Sequence, residues 1–230
     1  LTRYHWFVLV VAALGWLFDC LDQQLFTLAR PTAMRDLLKV PAGDPLIGEW
    51  GGYATSIFII GWATGGLIFG SLGDRIGRAK TMVITILIYS ACTGLSALST
   101  TFWDFAFYRF LTGLGVGGEF AVGVALVAEI MPDRARPRAL SLLQALSAVG
   151  NISAAFIGAA LAPWEAEGLS AWRVMFVIGA VPAILALVIR RRLKEPERWQ
   201  QMKNDPNRDK RTGSYKALFS DPRWRRSALV

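Results

Sequence analysis

The chain has 230 residues, 53% of them hydrophobic, with 22 Gly, 9 Trp and a net charge of +8; its mean hydropathy is +0.39. That apolar content is above what a soluble domain carries and fits several membrane spans, glycine being frequent in transmembrane helices and tryptophan gathering at membrane interfaces. Residues 190–230 hold 13 Lys and Arg against 5 Asp and Glu, while residues 1–189 hold 12 of each, so the whole excess follows the last apolar run and reads as a basic segment beside a lipid bilayer, not as a nucleic-acid surface.

The first apolar run, Trp6–Ala29, is too long for a signal-peptide core and has no small-residue cleavage site after it, so it is read as a span. With Leu rather than Met at position 1, the true N-terminus is expected to lie upstream. Five further spans follow at Tyr53–Leu72, Thr81–Leu98, Trp103–Ile130, Ala139–Ala162 and Ala171–Arg190, each about long enough to cross a ~30 Å hydrocarbon core as a helix. Loop 30–50 has balanced charge and three prolines, Pro31, Pro41 and Pro45, and is expected to carry a short surface helix around Thr32–Lys39. Loops 73–80 and 131–138 are basic, loop 99–102 is uncharged and loop 163–170 is acidic. This alternation predicts that the N-terminus, the second and fourth loops and the tail are cytoplasmic. Cys20 and Cys92 both fall inside spans and read as buried free thiols. A single His and no Cys cluster argue against a metal site, and no phosphate loop, nucleophile elbow or cofactor motif is present, which argues against an ATP-driven pump or an enzyme.

The ionisable residues inside the spans carry the chemistry, because a charge facing lipid is costly. Span 1 holds Asp19 and Asp22, three residues apart and on one helix face with Gln23. Span 4 holds Arg109 and Glu119. At a rise of ~1.5 Å per residue, Asp19 and Arg109 lie at about the same depth, with Asp22 close by. Either acid can pair with Arg109, and the pair can hold a proton or a carboxylate substrate. Burial favours a neutral carboxyl at Glu119, which makes it a candidate proton carrier. Gly61, Gly65 or Gly66, and Gly70 in span 2 recur at four or five residues, a spacing that serves close helix packing before it serves substrate contact. Gln144 and Asn151 in span 5 can bond either substrate or neighbouring helices.

Between spans 2 and 3 stands Gly70-Ser71-Leu72-Gly73-Asp74-Arg75-Ile76-Gly77-Arg78-Ala79-Lys80, a tight charged turn whose glycines permit unusual backbone angles and close approaches. This stretch resembles the signature loop between helices 2 and 3 of the major facilitator superfamily of transporters. Arg109 followed by Gly113, Gly115, Gly117 and Gly118 is similar to that family's helix 4 pattern, which is associated with proton coupling, and the Gly-Gly-Glu-Phe context of Glu119 is similar to its metabolite:proton symporters, a sugar-porter-like branch. Glu195-Pro196-Glu197-Arg198-Trp199 resembles the segment that follows helix 6 in sugar porters and related symporters.

The resemblance implies an all-α membrane protein: a six-helix bundle over residues 1–190, built of two three-helix inverted repeats and forming the N-terminal half of the fold. A cytoplasmic central loop over 191–222 and a truncated seventh helix from 223 follow, and a second six-helix half is expected from a missing C-terminal part. It further implies a cytoplasmic latch formed by Gly70, Gly73, Asp74, Arg75, Gly77, Arg78, Glu129 and Arg138, in which Glu129 pairs with Arg75 or Arg78 and Asp74 faces the second half. Pro137-Arg138-Ala139 stands where sugar porters carry Arg-Gly, a departure from their pattern but not from the superfamily's. The implied function is secondary active transport by alternating access in a plasma membrane, the bacterial inner membrane, with small organic or aromatic acids and protons as partners and Asp19, Asp22, Arg109 and Glu119 as substrate and coupling residues. A neutral sugar porter, a non-transporting membrane sensor or an incomplete gene fragment are the alternatives.

Overall fold

The computed structural model of the chain describes residues 2–166, 170–181, 193, 195 and 199–201. Their regular structure is helical throughout: α1 (Arg3–Leu38), α2 (Pro45–Ile76), α3 (Arg78–Ser96), α4 (Phe102–Ile130), α5 (Arg136–Ala145), α6 (Ser147–Ala166) and α7 (Ala171–Ile178). The helix starts follow local chemistry. Thr2 and Thr101 cap α1 and α4, each accepting from the backbone N–H three residues on, and Asp44 caps α2, with Pro45 in the first turn. α1, α2, α3 and α4 are each long and apolar enough to cross a membrane, as is the stretch Arg136–Trp164 spanning α5 and α6.

Two features differ from those read in the sequence. The surface helix expected at Thr32–Lys39 is not separate: α1 runs on through Pro31 to Leu38. Proline removes one ladder hydrogen bond, but Ala33, Met34 and Leu37 are buried and Asp36 accepts from the Trp172 indole at 3.1 Å and from Arg173 at 3.3 Å, so tertiary packing holds the extra turns. The fifth span is interrupted at Leu146, although the Leu142 and Leu146 carbonyls still accept from residues four further on at 3.1 and 3.4 Å, which leaves α5 and α6 as one broken rod. The sixth span is described as far as α7 and the turn after it; its expected continuation to Arg190, most of the 191–222 segment and the expected seventh helix lie outside the described residues.

α4 is the hub and packs against α2, α3 and α1, while α1 also packs along α6 and α7. The α2–α4 seam depends on glycine. A Cβ on Gly61 or Gly65 would overlap the backbone of Phe110 or Leu114, and one on Gly113 or Gly117 would overlap that of Phe58 or Trp62. Small residues on both helices therefore bring the backbones into contact, as the span 2 spacing predicts. Gly115 does the same against α3, at Thr85 and Tyr89, whereas a Cβ on Gly118 would strike the side chains of Phe69 on α2 and Thr85 on α3.

Polarity is distributed inside out. Ile59, Ile60, Leu67 and Ile68 of α2 and Val149, Ile152 and Phe156 of α6 are exposed, while Asp19, Asp22, Arg109 and Glu119 are buried. Water would reverse that arrangement and hydrocarbon favours it. The molecule is an all-α, multi-pass membrane protein. Cys20 and Cys92 are free and buried.

Candidate functional site

Three clusters of ionisable groups occupy the bundle. The first is centred on Arg109, whose side chain is fully buried. It donates to Asp22 at 3.4 Å, to Thr93, Ser96 and Thr112 at 3.3, 3.2 and 3.1 Å, and its guanidinium carbon lies 4.7 Å from the Phe176 ring centroid and 5.5 Å from that of Phe26. Thr93 also donates to Asp22 at 2.9 Å. A buried charge needs this many partners, since the ion pair alone does not offset its desolvation. The sequence left Asp19 and Asp22 open as partners of Arg109, and the geometry selects Asp22. The depth estimate matched Asp19, less than one helical turn away, an offset that the long arginine side chain spans. The Nη groups of Arg109 turn to α1, α3 and α4, while its buried Nε meets no hydrogen-bond partner among the described residues.

The second cluster is Asp19 with Glu119. Both are buried, and none of their four carboxyl oxygens meets a hydrogen-bond partner among the described residues. They line one small cavity together with Trp16, Met82, Phe120 and Leu143. A Cβ on Gly15, one turn before Asp19, would strike the Glu119 carboxyl, so the glycine makes room for it. The two acids of span 1 therefore serve different sites, a division that i, i+3 spacing alone cannot reveal.

The third cluster lies where the α2–α3 turn meets the end of α4. Arg78 donates to Glu129 at 2.9 and 3.1 Å, to Asp74 at 2.5 Å and to the Gly70 carbonyl at 3.4 Å. Of the two arginines read as partners of Glu129, Arg78 takes the role, and Asp74 turns to the same guanidinium. Arg75 lies exposed in the last turn of α2. Arg138 is exposed on α5 and makes no ion pair among the described residues. Gly77 adopts φ 115°, a region that favours glycine. Gly73 lies close under Arg78, whereas Gly70 has only ordinary contact space and contributes its carbonyl.

Two contacts to the α2–α3 turn were not read from the sequence. The Glu195 carboxylate accepts from the Ala79 and Lys80 backbone N–H groups, each at 3.1 Å, and caps α3, which has no side-chain cap of its own. Trp199 donates its indole N–H to the Asp74 carbonyl at 3.0 Å. The signal was negative: Gly77-Arg78-Ala79-Lys80 opens a helix with no Ser, Thr, Asp or Asn at the cap and no acid in the first turn. Gln144 and Asn151, left open between roles, are exposed on α5 and α6.

The sequence profile described as Major Facilitator Superfamily matches residues 12–230. A putative metabolite transport protein of Haemophilus influenzae is 35% identical over 200 residues, covering 87% of this chain and 46% of that protein. The benzoate transport protein of Acinetobacter baylyi is 33% identical over 200 residues, covering 85% of this chain and 40% of that one. The chain thus spans about half the length of the curated relatives it matches. A structure of the proton:xylose symporter XylE superposes with a TM-score of 0.75 over 87% of this chain and 47% of that one, at 21% identity, a likeness of fold. The profile match, the relatives and the inside-out bundle agree: the chain belongs to the Major Facilitator Superfamily.

Proposed function

We propose that the chain forms the N-terminal half of a secondary active transporter, which couples entry of a small organic or aromatic acid to entry of protons by alternating access. The observation that carries this reading is the Asp22–Arg109 pair, fully buried and bonded to Thr93, Ser96 and Thr112. A symporter needs an acid whose protonation depends on conformation. Asp22 is the acid placed to respond to such a change, because helix movement that separates it from Arg109 takes away its countercharge. The benzoate transport protein's 33% identity supports an acid as cargo. Recognition of that acid is shared with residues of the second half.

Arg78, Asp74 and Glu129 hold one conformation by tying the α2–α3 turn to α4, with Gly70, Gly73 and Gly77 shaping the turn, Arg75 on the same surface, Arg138 beside it, and Asp74 also facing the second half. The membrane is the bacterial inner membrane, with this end in the cytoplasm.

The test is uptake of labelled benzoate into liposomes holding the complete transporter, with and without an inward proton gradient. Accumulation that needs the gradient, and disappears in Asp22→Asn while exchange between loaded compartments survives, supports the reading. Accumulation unaffected by a protonophore overturns proton coupling. Competition by neutral sugars but not by carboxylates turns the assignment to a sugar porter, and binding without flux turns it to a sensor.

A further inference from the structure

We propose that Asp19 and Glu119 form a carboxyl pair that holds a single shared proton, a site separate from the Asp22–Arg109 pair. The inference deepens the proton-coupled reading above and rests on it for its transport role. Asp19 and Glu119 are each 2% exposed, and all four of their carboxyl oxygens lack a partner among the described residues. Both line a cavity of about 10 Å³, room for a single water at most. The Glu119 carboxyl lies against Gly15, which shares a helix face with Asp19 four residues on.

Among the described residues the surroundings offer no countercharge. On α1, Asp22 is taken by Arg109 and Thr93, and Cys20 is a buried thiol. On α3, the nearest titratable group is Tyr89, buried, with a hydroxyl that has no partner, and the residue lining the cavity is Met82. On α4, the Arg109 guanidinium is bonded to Asp22, Thr93, Ser96 and Thr112. From α5 only Leu143 lines the cavity. Two carboxylates in an apolar cavity without a cation cannot both stay ionised. One O–H bond, formed when a hydronium ion gives up its proton, leaves a net charge of −1 and lets one carboxyl donate to the other, directly or through one water. A metal cation is disfavoured, because beyond the four carboxyl oxygens the cavity is lined mainly by Ala12, Trp16, Met82, Phe120, Val124 and Leu143, which supply no further oxygen ligand. Release to the opposite side requires that water reach the pair, which the proposed helix motion provides.

The experiment is infrared spectroscopy of the complete transporter in sodium-free liposomes at neutral pH, following the carbonyl stretch of a buried protonated carboxyl by its shift in D2O. The wild type is expected to show the band, Asp19→Asn and Glu119→Gln each to keep it at a shifted frequency, and the double variant to lose it. Gly15→Ala keeps both acids but presses a methyl onto Glu119, and is expected to shift the band even if the double variant fails to assemble. Absence of the band in the wild type, its survival in the double variant, its loss in only one single variant, or an unmoved band in Gly15→Ala overturns the pair. Loss of the wild-type band when sodium replaces choline at equal ionic strength also overturns it, in favour of a metal cation. Benzoate accumulation measured on the same liposomes separates the two readings: the expected band pattern with uptake indifferent to the proton gradient defeats the coupling reading alone, and gradient-driven uptake with the wrong band pattern defeats the pair alone.

Discussion

Removing one partner of a buried ion pair costs more than removing both, because the remaining charge keeps its desolvation penalty and loses its compensation. Arg109 is the place to measure this, since its side chain and that of Asp22 are 0% and 1% exposed. Asp22→Asn is expected to lower the stability of the complete protein by about 3–5 kcal/mol, read as a fall in the melting temperature of the detergent-solubilised protein. Adding Arg109→Gln should recover at least half of that loss, because the orphaned charge is then gone. A double variant less stable than Asp22→Asn alone would show that Arg109 draws its stabilisation from Thr93, Ser96, Thr112 and the phenylalanine rings, not from the acid. At this scale the sequence told which residue types must meet inside the membrane but not how they sort. Asp19 and Asp22 share one face by spacing, and only the placement of Gly15 against Glu119 and of Thr93 against Asp22 separates them into two sites.

Between elements, glycine decides how close two helices come. Gly65 and Gly66 are adjacent, yet a Cβ on Gly65 would overlap the Leu114 backbone, whereas the nearest neighbour of one on Gly66 is the Gly117 carbonyl oxygen at 3.5 Å, ordinary contact. Gly65→Ala is expected to cost about 1–3 kcal/mol by forcing α2 and α4 apart, and Gly66→Ala to change the melting temperature little; equal effects of the two would refute the seam. The α3 start gives a second prediction. Glu195 is its only described cap, so Glu195→Gln, which keeps one acceptor oxygen but loses the charge that favours a helix N-terminus, should cost roughly 1 kcal/mol. It should also raise hydrogen exchange at Ala79 and Lys80 above the rest of α3, while unchanged protection there would mean that water serves the N–H groups as well. Span positions and the glycine seam were legible because each leaves a local pattern, an apolar run and a four-residue repeat; the pairing of Glu129 came only from the family resemblance, which left Arg75 and Arg78 both open. The Glu195 cap and the continuation of α1 past Pro31 were not legible. Each depends on a partner far along the chain, Glu195 on Ala79 and Lys80, and Asp36 on Trp172 and Arg173, and local propensity yields to such tertiary contacts.

For the whole molecule, the contacts fix which loops share an end, and charge then fixes which way that end points. Arg78 at the start of α3 meets Glu129 at the end of α4, so the α2–α3 and α4–α5 connections lie together. Asp36 near the end of α1 meets Arg173 at the start of α7, and Arg173 also donates to the Ala97 carbonyl just past α3 at 2.5 Å, so the α1–α2, α3–α4 and α6–α7 connections lie together at the other end. The first end carries Arg75, Arg78, Lys80, Arg134, Arg136 and Arg138 against Asp74, Glu129 and Asp133; the second sets Arg30, Arg35, Lys39 and Arg173 against Asp36, Asp44, Glu49 and Asp104. Basic loops stay in the cytoplasm, so the Arg78 end is expected to face inward and the Asp36 end outward. Two single cysteines test this in the complete protein in intact cells: Ala42→Cys, in the exposed turn before α2, and Asp133→Cys, at a side chain 84% exposed before α5. Native Cys20 and Cys92 are buried, so within this half a membrane-impermeant maleimide has little background. Ala42→Cys should label on intact cells, and Asp133→Cys only after the membrane is opened. Labelling of Asp133→Cys from outside would invert the molecule, and with it the direction in which the Asp22 and Asp19–Glu119 sites exchange protons with the two compartments.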